Sequence, residues 1–466
     1  MTSDIAFIGA VELGKKIARG AVTSTDVTRT MLERIERLNG TLRCYETVMA
    51  DQALADAKKA DREIRAKKSR GPLHGVPIGI KDLCDIEGIP TASGIPMFRS
   101  NVAKRTSTVA ARLKGAGAVI LGKLQLTEGA LALHHPEIPP PVNPWRRDRW
   151  SGASSSGSGV ATAAGLCYGS LGSDTGGSIR FPSIANGCVG LKPTWGRVSR
   201  YGVFPLGETL DHIGPMTRRV EDCAAMLVAI AGRDENDPSS SSEPVPNYLA
   251  GIGKGLKGVT VGFDHKYCSD GVDPAIVKVL KKAVSVLKKA GATVKAVKMP
   301  ATEAAVTAWV PICAVEAAIA HDSTYPSRKD GYGPVFAGFL ESGRTMPALD
   351  YGRAAIERRN LRGAMQRLFA DIDIMVAPIM PWLTPTVAEF NALCESPEGL
   401  RKLIHFTCIY DMSSQPTITL PAGLDANGSP IGFQIVGRPF EEGLLCRAGM
   451  AWQSAEGGNG MPPLAA

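Results

Sequence analysis

Aromatic residues make up only 6% of this 466-residue chain and charged residues 21%, and seven histidines are scattered along it. With 44% hydrophobic residues, so low a charge content excludes a disordered or polyelectrolyte protein and leaves an ordinary globular composition. No long uncharged apolar run stands out, so no membrane association is expected. The N-terminal stretch MTSDIAFIGAVELGKK sets Asp4 and Glu12 around a short apolar segment without a basic leader, which predicts an unexported, cytoplasmic protein. Ten cysteines occur singly from Cys44 to Cys446, with no C-x-x-C pair. That excludes a zinc-binding cysteine pattern and a disulfide framework, and predicts buried, reduced thiols with no metal. The net charge of +8 is spread thinly. Lys278, Lys281, Lys282, Lys288 and Lys289 interleave with Ile276, Val279, Leu280, Ala283 and Leu287, the spacing of a solvated helix face, so no nucleic-acid partner is expected.

What is present reads as alternating helices and strands. Thr23, with Asp26 three positions on, opens a helix whose apolar residues Val27, Met31, Leu32, Ile35 and Leu38 recur at helical spacing until Asn39-Gly40 is expected to end it. A polar helix over 51–67 follows. Val76, Ile78 and Ile80 alternate with Pro77 and Gly79 as a short strand would, delivering Lys81 and Asp82 at its end. Residues 107–123 give a helix and then a strand. WSGASSSGSGVATAAG (150–165) predicts an ordered loop feeding a buried helix. Its GSG lacks the following Lys-Ser/Thr of a phosphate-binding loop, and no ribose-binding acid follows a strand-loop-helix, so no nucleotide site is expected.

Residues 234–258 are polar and rich in Pro, Ser and Gly, the composition of a linker. Beyond them, a strand at GVTVGFD, a helix over 274–290 and a returning strand at ATVKAVKM form a βαβ unit with parallel strands. The segment 302–346 is helical and Gly-rich, and its aromatic residues Trp309, Tyr325, Tyr332, Phe336 and Phe339 are expected to fill a core, with lining a pocket as the alternative. Three apolar strands and a last helix close the chain, and no internal repeat is evident.

Three islands concentrate residues suited to chemistry: GVPIGIKD (75–82), GASSSGSG (152–159) and SDTGGSIR (173–180). In the third, Gly176 and Gly177 directly precede Ser178, allowing a tight backbone whose N–H groups can approach a reacting carbonyl. Together the islands resemble the amidase signature family. The resemblance continues through GLKPTWGRVSR (190–200), LDHIGPMTR (210–218) and GFQIVGRPFEEGLL (432–445), covering nearly the whole chain. It implies a single α/β domain over 1–466, a mixed sheet covered by helices. Within it, N-terminal helices (1–70) precede a signature core (71–233), the polar segment 234–258, and a C-terminal α/β part (259–466) that lines the pocket.

The resemblance also implies a catalytic triad of Lys81, Ser154 and Ser178. Ser178 would be the nucleophile, and Ser154 the bridging serine on a cis peptide bond, with Ser155 as the alternative for that role. The loop departs from the family's usual form at Ala153, Ser156 and Gly159, changes small in volume. A serine hydroxyl needs a nearby base, and lysine serves only when its surroundings favour the unprotonated amine. Backbone N–H groups of Thr175, Gly176, Gly177 and Ser178 would hold the oxyanion, with Asp174 and Arg180 supporting the loop. The implied activity is an amidohydrolase using no cofactor, acting on a small or aryl-bearing carboxamide, or on a carbamate or ester, with a homodimer as the default assembly. Two alternatives stay open: the glutaminase subunit of a tRNA-dependent amidotransferase, and a catalytically silent scaffold relative. Specificity is expected to reside in 127–141, 203–208 and 309–340.

Overall fold

The computed structural model describes residues 3–465; the remaining ends of the 1–466 span lie outside it. Local sequence signals account for many of its elements. Thr23 Oγ1 accepts from the Asp26 N–H at 3.0 Å and starts the helix Ser24–Leu42. That helix runs past Asn39-Gly40, the stop its sequence predicts. The Asn39 side chain accepts from the N–H groups of Cys44 and Tyr45, both at 2.9 Å, and so ties down the chain beyond the helix, while Arg43 takes the left-handed turn at φ 51°. The next helix, Ala50–Arg65, buries Ala53, Ala57 and Ala60. Its Asp61 accepts the Ser24 and Thr25 N–H groups at 2.7 and 3.0 Å, adding a second cap to the preceding helix.

Eleven strands are present among the described residues: β1 (Tyr45–Val48), β2 (Pro77–Lys81), β3 (Val119–Leu124), β4 (Gly169–Asp174), β5 (Val189–Lys192), β6 (His212–Thr217), β7 (Thr260–Phe263), β8 (Thr293–Ala296), β9 (Ile374–Ala377), β10 (Thr417–Leu424) and β11 (Pro430–Gly437). They form one mixed sheet in the order β1-β3-β2-β4-β6-β5-β10-β11-β9-β7-β8. The predicted βαβ unit is there, with β7 and β8 parallel around the helix Pro274–Lys289. β2 lies parallel to both β3 and β4, which brings the end of the Lys81 strand beside the strand leading to Ser178. The antiparallel pairing of β5 with β10 carries the sheet from the N-terminal into the C-terminal part.

Central strands β2, β3, β4, β5 and β6 are buried along their whole length, as expected for a sheet covered on both faces. The loop after Trp150 feeds the helix Ser156–Ala163, every residue of which is buried. Segment 234–258 carries one isolated bridge, between Asp234 and Asp237, but neither helix nor strand. It is tied to the core by Arg197 Nη1, which donates to the carbonyls of Glu243 and Pro244, and by Asp234, which accepts from Ser199 Oγ at 2.6 Å.

The helix Glu303–Ala320 has a mean hydropathy of 1.5 and is long and apolar enough to cross a membrane, although no such run stands out in the sequence. In this fold 56% of that stretch is buried within the molecule. Its Glu316 accepts from the N–H and the hydroxyl of Thr209 at 2.8 and 2.7 Å.

Candidate active site

The Lys81 side chain leaves the end of β2 into a space with no solvent exposure. Its amine donates to three hydroxyls: Ser154 Oγ at 2.7 Å, Ser155 Oγ at 2.9 Å and Ser173 Oγ at 2.8 Å. Burial pushes its pKa down to about 7, against weaker upward pulls from Cys84, Asp211 and Asp174. Near neutral pH this amine is therefore available as a base. An arginine here would stay charged.

The peptide bond Ala153–Ser154 is cis. Among the described residues, Ser154 Oγ has Lys81 as its one hydrogen-bond partner. Ser155 Oγ is differently placed: besides Lys81, it accepts from the Ser173 N–H and donates to the Ser173 carbonyl, both at 3.2 Å. Of the two candidate bridging serines, Ser154 is thus the one whose proton is uncommitted. The part taken by Ser173 is not evident in the sequence, although it begins the SDTGGSIR island.

Ser178 follows β4 in the turn before the helix Arg180–Asn186 and is partly exposed. Its hydroxyl makes no hydrogen bond to a described residue, and its carbonyl accepts the Ser155 N–H at 3.3 Å. Lys81 and Ser154 are therefore in direct contact, while Ser178 is joined to the serine loop through the backbone. Gly177 has φ 138°, and a Cβ there would sit 2.3 Å from the Phe181 ring, so this turn requires glycine.

Asp174 organises the turn from beneath. It accepts from the N–H groups of Gly177 at 2.6 Å and Ile179 at 2.9 Å, and from Arg180 Nη2 at 2.7 Å and Nε at 3.0 Å. Burial alone would raise its pKa, but the Arg180 guanidinium and these donors hold the carboxyl well below its usual range. Arg180 continues to Asp411 Oδ2 at 2.6 Å and to the Thr407 carbonyl at 2.9 Å. Since Asp174 takes up the Gly177 N–H, the expected four-residue backbone cradle contracts. The N–H groups of Thr175, Gly176 and Ser178 are the ones without a partner among the described residues.

Ser178 opens onto a cavity of about 590 Å³. Its wall is mostly apolar, with Leu131, Phe181, Leu206, Trp309, Phe339 and Leu403 among its members. All three segments expected to carry specificity contribute to it. A further wall comes from the consecutive helices Val387–Cys394 and Pro397–Ile404, which bring Cys394, Leu400 and Ile404 to the cavity. The apolar positions in PEGLRKLI were the available sequence signal for this wall. Trp309, Phe339 and Val310 line the cavity, whereas Tyr332 and Phe336 pack around the buried His321, so the aromatic residues of 302–346 divide between pocket and core.

A family model for amidases matches residues 26–446. The chain is 45% identical over 453 residues to a Mycobacterium tuberculosis protein provisionally named amidase AmiD, covering 97% of this chain and 95% of that protein. It is 37% identical over 469 residues to a glutamyl-tRNA(Gln) amidotransferase subunit from a Geobacter species, covering 95% of this chain and 96% of that protein. The solved peptide amidase of Stenotrophomonas maltophilia superposes with a TM-score of 0.85 at 28% identity, covering 98% of this chain and 99% of that one.

Proposed function

The chain belongs to the amidase signature family and is an amidohydrolase acting on C–N bonds; from that premise we propose that Lys81, Ser154 and Ser178 form its catalytic triad and that its substrate is a neutral carboxamide with an apolar acyl or aryl group. The observation that carries the triad is the buried Lys81 amine, with a pKa near 7 and 2.7 Å from an otherwise unpaired Ser154 hydroxyl.

The proton of Ser178 passes to Ser154 Oγ as Ser178 Oγ attacks the carbonyl, and the proton of Ser154 passes to neutral Lys81. Hydroxyls rotate freely, which suits Ser154 to accept on one side and donate on the other. The N–H groups of Gly176 and Ser178, flanked by that of Thr175, hold the developing oxyanion. Lys81 returns the proton through Ser154 to the departing nitrogen. Water then releases the acyl group by the same relay. Asp174 and Arg180 keep the turn in shape and do not touch substrate. The enzyme works in the cytoplasm, where its ten unpaired cysteines stay reduced.

The mostly apolar wall favours aryl and branched alkyl amides, while Glu395 and Arg401, the charged residues of the lining, are the partners that the charged ends of glutamine would need. A panel of aryl amides, aliphatic amides, carbamates, esters and glutamine tests this, with turnover greatest on aryl amides. The likeness to an amidotransferase component supports the rival reading; dominant glutaminase activity, together with co-purification of a second protein, would establish it. For the nucleophile, a fluorophosphonate should modify Ser178, located by mass spectrometry of the digest. Modification at another serine would refute the assignment.

A further inference from the structure

We propose that Trp309 and Thr407 are positioning residues that aim the Gly176 and Ser178 N–H groups at the substrate's carbonyl oxygen, a role that rests on the serine acyl-enzyme reading above. Three successive carbonyls of the nucleophile turn are each bound. The Thr175 carbonyl accepts from Trp309 Nε1 at 2.8 Å, the Gly176 carbonyl from Thr407 Oγ1 at 2.5 Å, and the Gly177 carbonyl from the Phe181 N–H at 2.8 Å.

A trans peptide is planar, with its C=O and N–H pointing in opposite directions, so holding a carbonyl fixes the N–H of the next residue. The first plane carries the Gly176 N–H and the third the Ser178 N–H, and neither has a partner among the described residues. The middle plane is pinned at both ends: its carbonyl by Thr407, and its N–H, that of Gly177, by Asp174 Oδ1 at 2.6 Å. It acts as a fixed spacer between two free donors.

Two of the three carbonyl anchors are side chains from distant parts of the chain. Trp309 comes from the helix Glu303–Ala320, 134 positions from Thr175, and Thr407 lies 231 positions from Gly176. The indole also packs closely against the backbone, since a Cβ on Gly176 would lie 3.0 Å from its Cζ2, and the same ring forms part of the cavity wall. A substrate seated against Trp309 therefore leans on the residue that sets the oxyanion donors.

The test compares the parent with Trp309→Phe, Thr407→Val and Thr407→Ser. It measures kcat and KM on one aryl amide, the second-order rate of phosphonylation by a fluorophosphonate, and the melting temperature. Trp309→Phe keeps the apolar ring and removes the N–H; Thr407→Val keeps the shape and removes the hydroxyl. Both are expected to lower kcat about 10- to 100-fold, with KM within about threefold, because misdirected donors weaken the transition state more than ground-state binding. Phosphonylation should slow in parallel, since its P=O oxygen uses the same donors. Thr407→Ser restores the hydroxyl and should stay within about threefold of the parent in both rates. A kcat within threefold of the parent for folded Trp309→Phe or Thr407→Val overturns the proposal. So does a loss confined to KM, or a Thr407→Ser variant as slow as Thr407→Val. A parent that is not phosphonylated at Ser178 removes the underlying reading as well. A parent labelled there, with variants reacting at the parent's rate, removes the positioning role alone.

Discussion

Lys81 and Lys123 stand on adjacent parallel strands, are equally withdrawn from solvent, and have opposite surroundings. Register pairs Ile80 with Lys123 and Lys81 with Leu124, so the two amines leave the sheet by opposite faces. Lys81 meets three neutral hydroxyls. Lys123 meets the Asp82 carboxylate at 2.8 Å, with the Pro90 carbonyl and Thr91 Oγ1 at 3.1 and 3.0 Å. A buried amine among neutral acceptors gives up its proton easily, whereas one beside a carboxylate forms an ion pair that serves the fold. Depth of burial is the same for the two amines, and what differs is the charge of the acceptors around them.

Removing Lys81 should separate the two sites most sharply. Lys81→Met is expected to lower kcat/KM by about 10²- to 10⁴-fold, the usual worth of a general base, while the far-ultraviolet circular dichroism stays that of the parent. A loss of only a few-fold would mean that another group takes the proton.

Lys123→Met should show the reverse pattern, because it strands the Asp82 carboxyl without its cation. Denaturant titration is expected to reveal a loss of about 3–5 kcal/mol in stability, with kcat/KM per folded molecule near the parent's. Adding Asp82→Asn should recover part of that stability; a further loss would show that Asp82 acts independently of Lys123.

The pH profile gives a smaller graded effect. The proposed mechanism uses the neutral form of Lys81, whose pKa burial has brought to about 7. Below that value the amine is protonated, so kcat/KM should fall about tenfold per pH unit as pH drops and level off above it. A rate flat from pH 5 to 8 would contradict the assignment of Lys81 as base.

Ser155→Ala should have the least effect, a loss of under about tenfold, since its hydroxyl is committed to the Ser173 backbone. A larger loss than that of Ser154→Ala in parallel assays would exchange the roles of the two serines.

Much of the fold is legible in the sequence because its signals are local. The Thr23 cap, the alternation ending at Lys81 and the βαβ unit around Pro274–Lys289 each depend on residues within one element or its immediate flanks. Asn39-Gly40 misleads as a helix end because the Asn39 side chain acts on residues beyond the helix, and Gly40 stays helical. Trp309 reads as core in the sequence because aromatic spacing alone cannot separate a pocket wall from a packed interior.

The sequence by itself determined the kind of groups available: a lysine closing an apolar strand, a run of serines in a Gly-rich loop, and a serine behind two glycines. Only the tertiary structure decided what those groups could do. The hydroxyls around Lys81 come from 73, 74 and 92 positions away, and they converge because β2 and β4 are neighbours in the sheet. Two of the bonds that hold the turn before Ser178 come from farther still. The proton affinity of an amine and the direction of a peptide N–H are set by whatever lies within about 3 Å. For this chain, that neighbourhood is assembled by strand order and helix packing across the whole molecule.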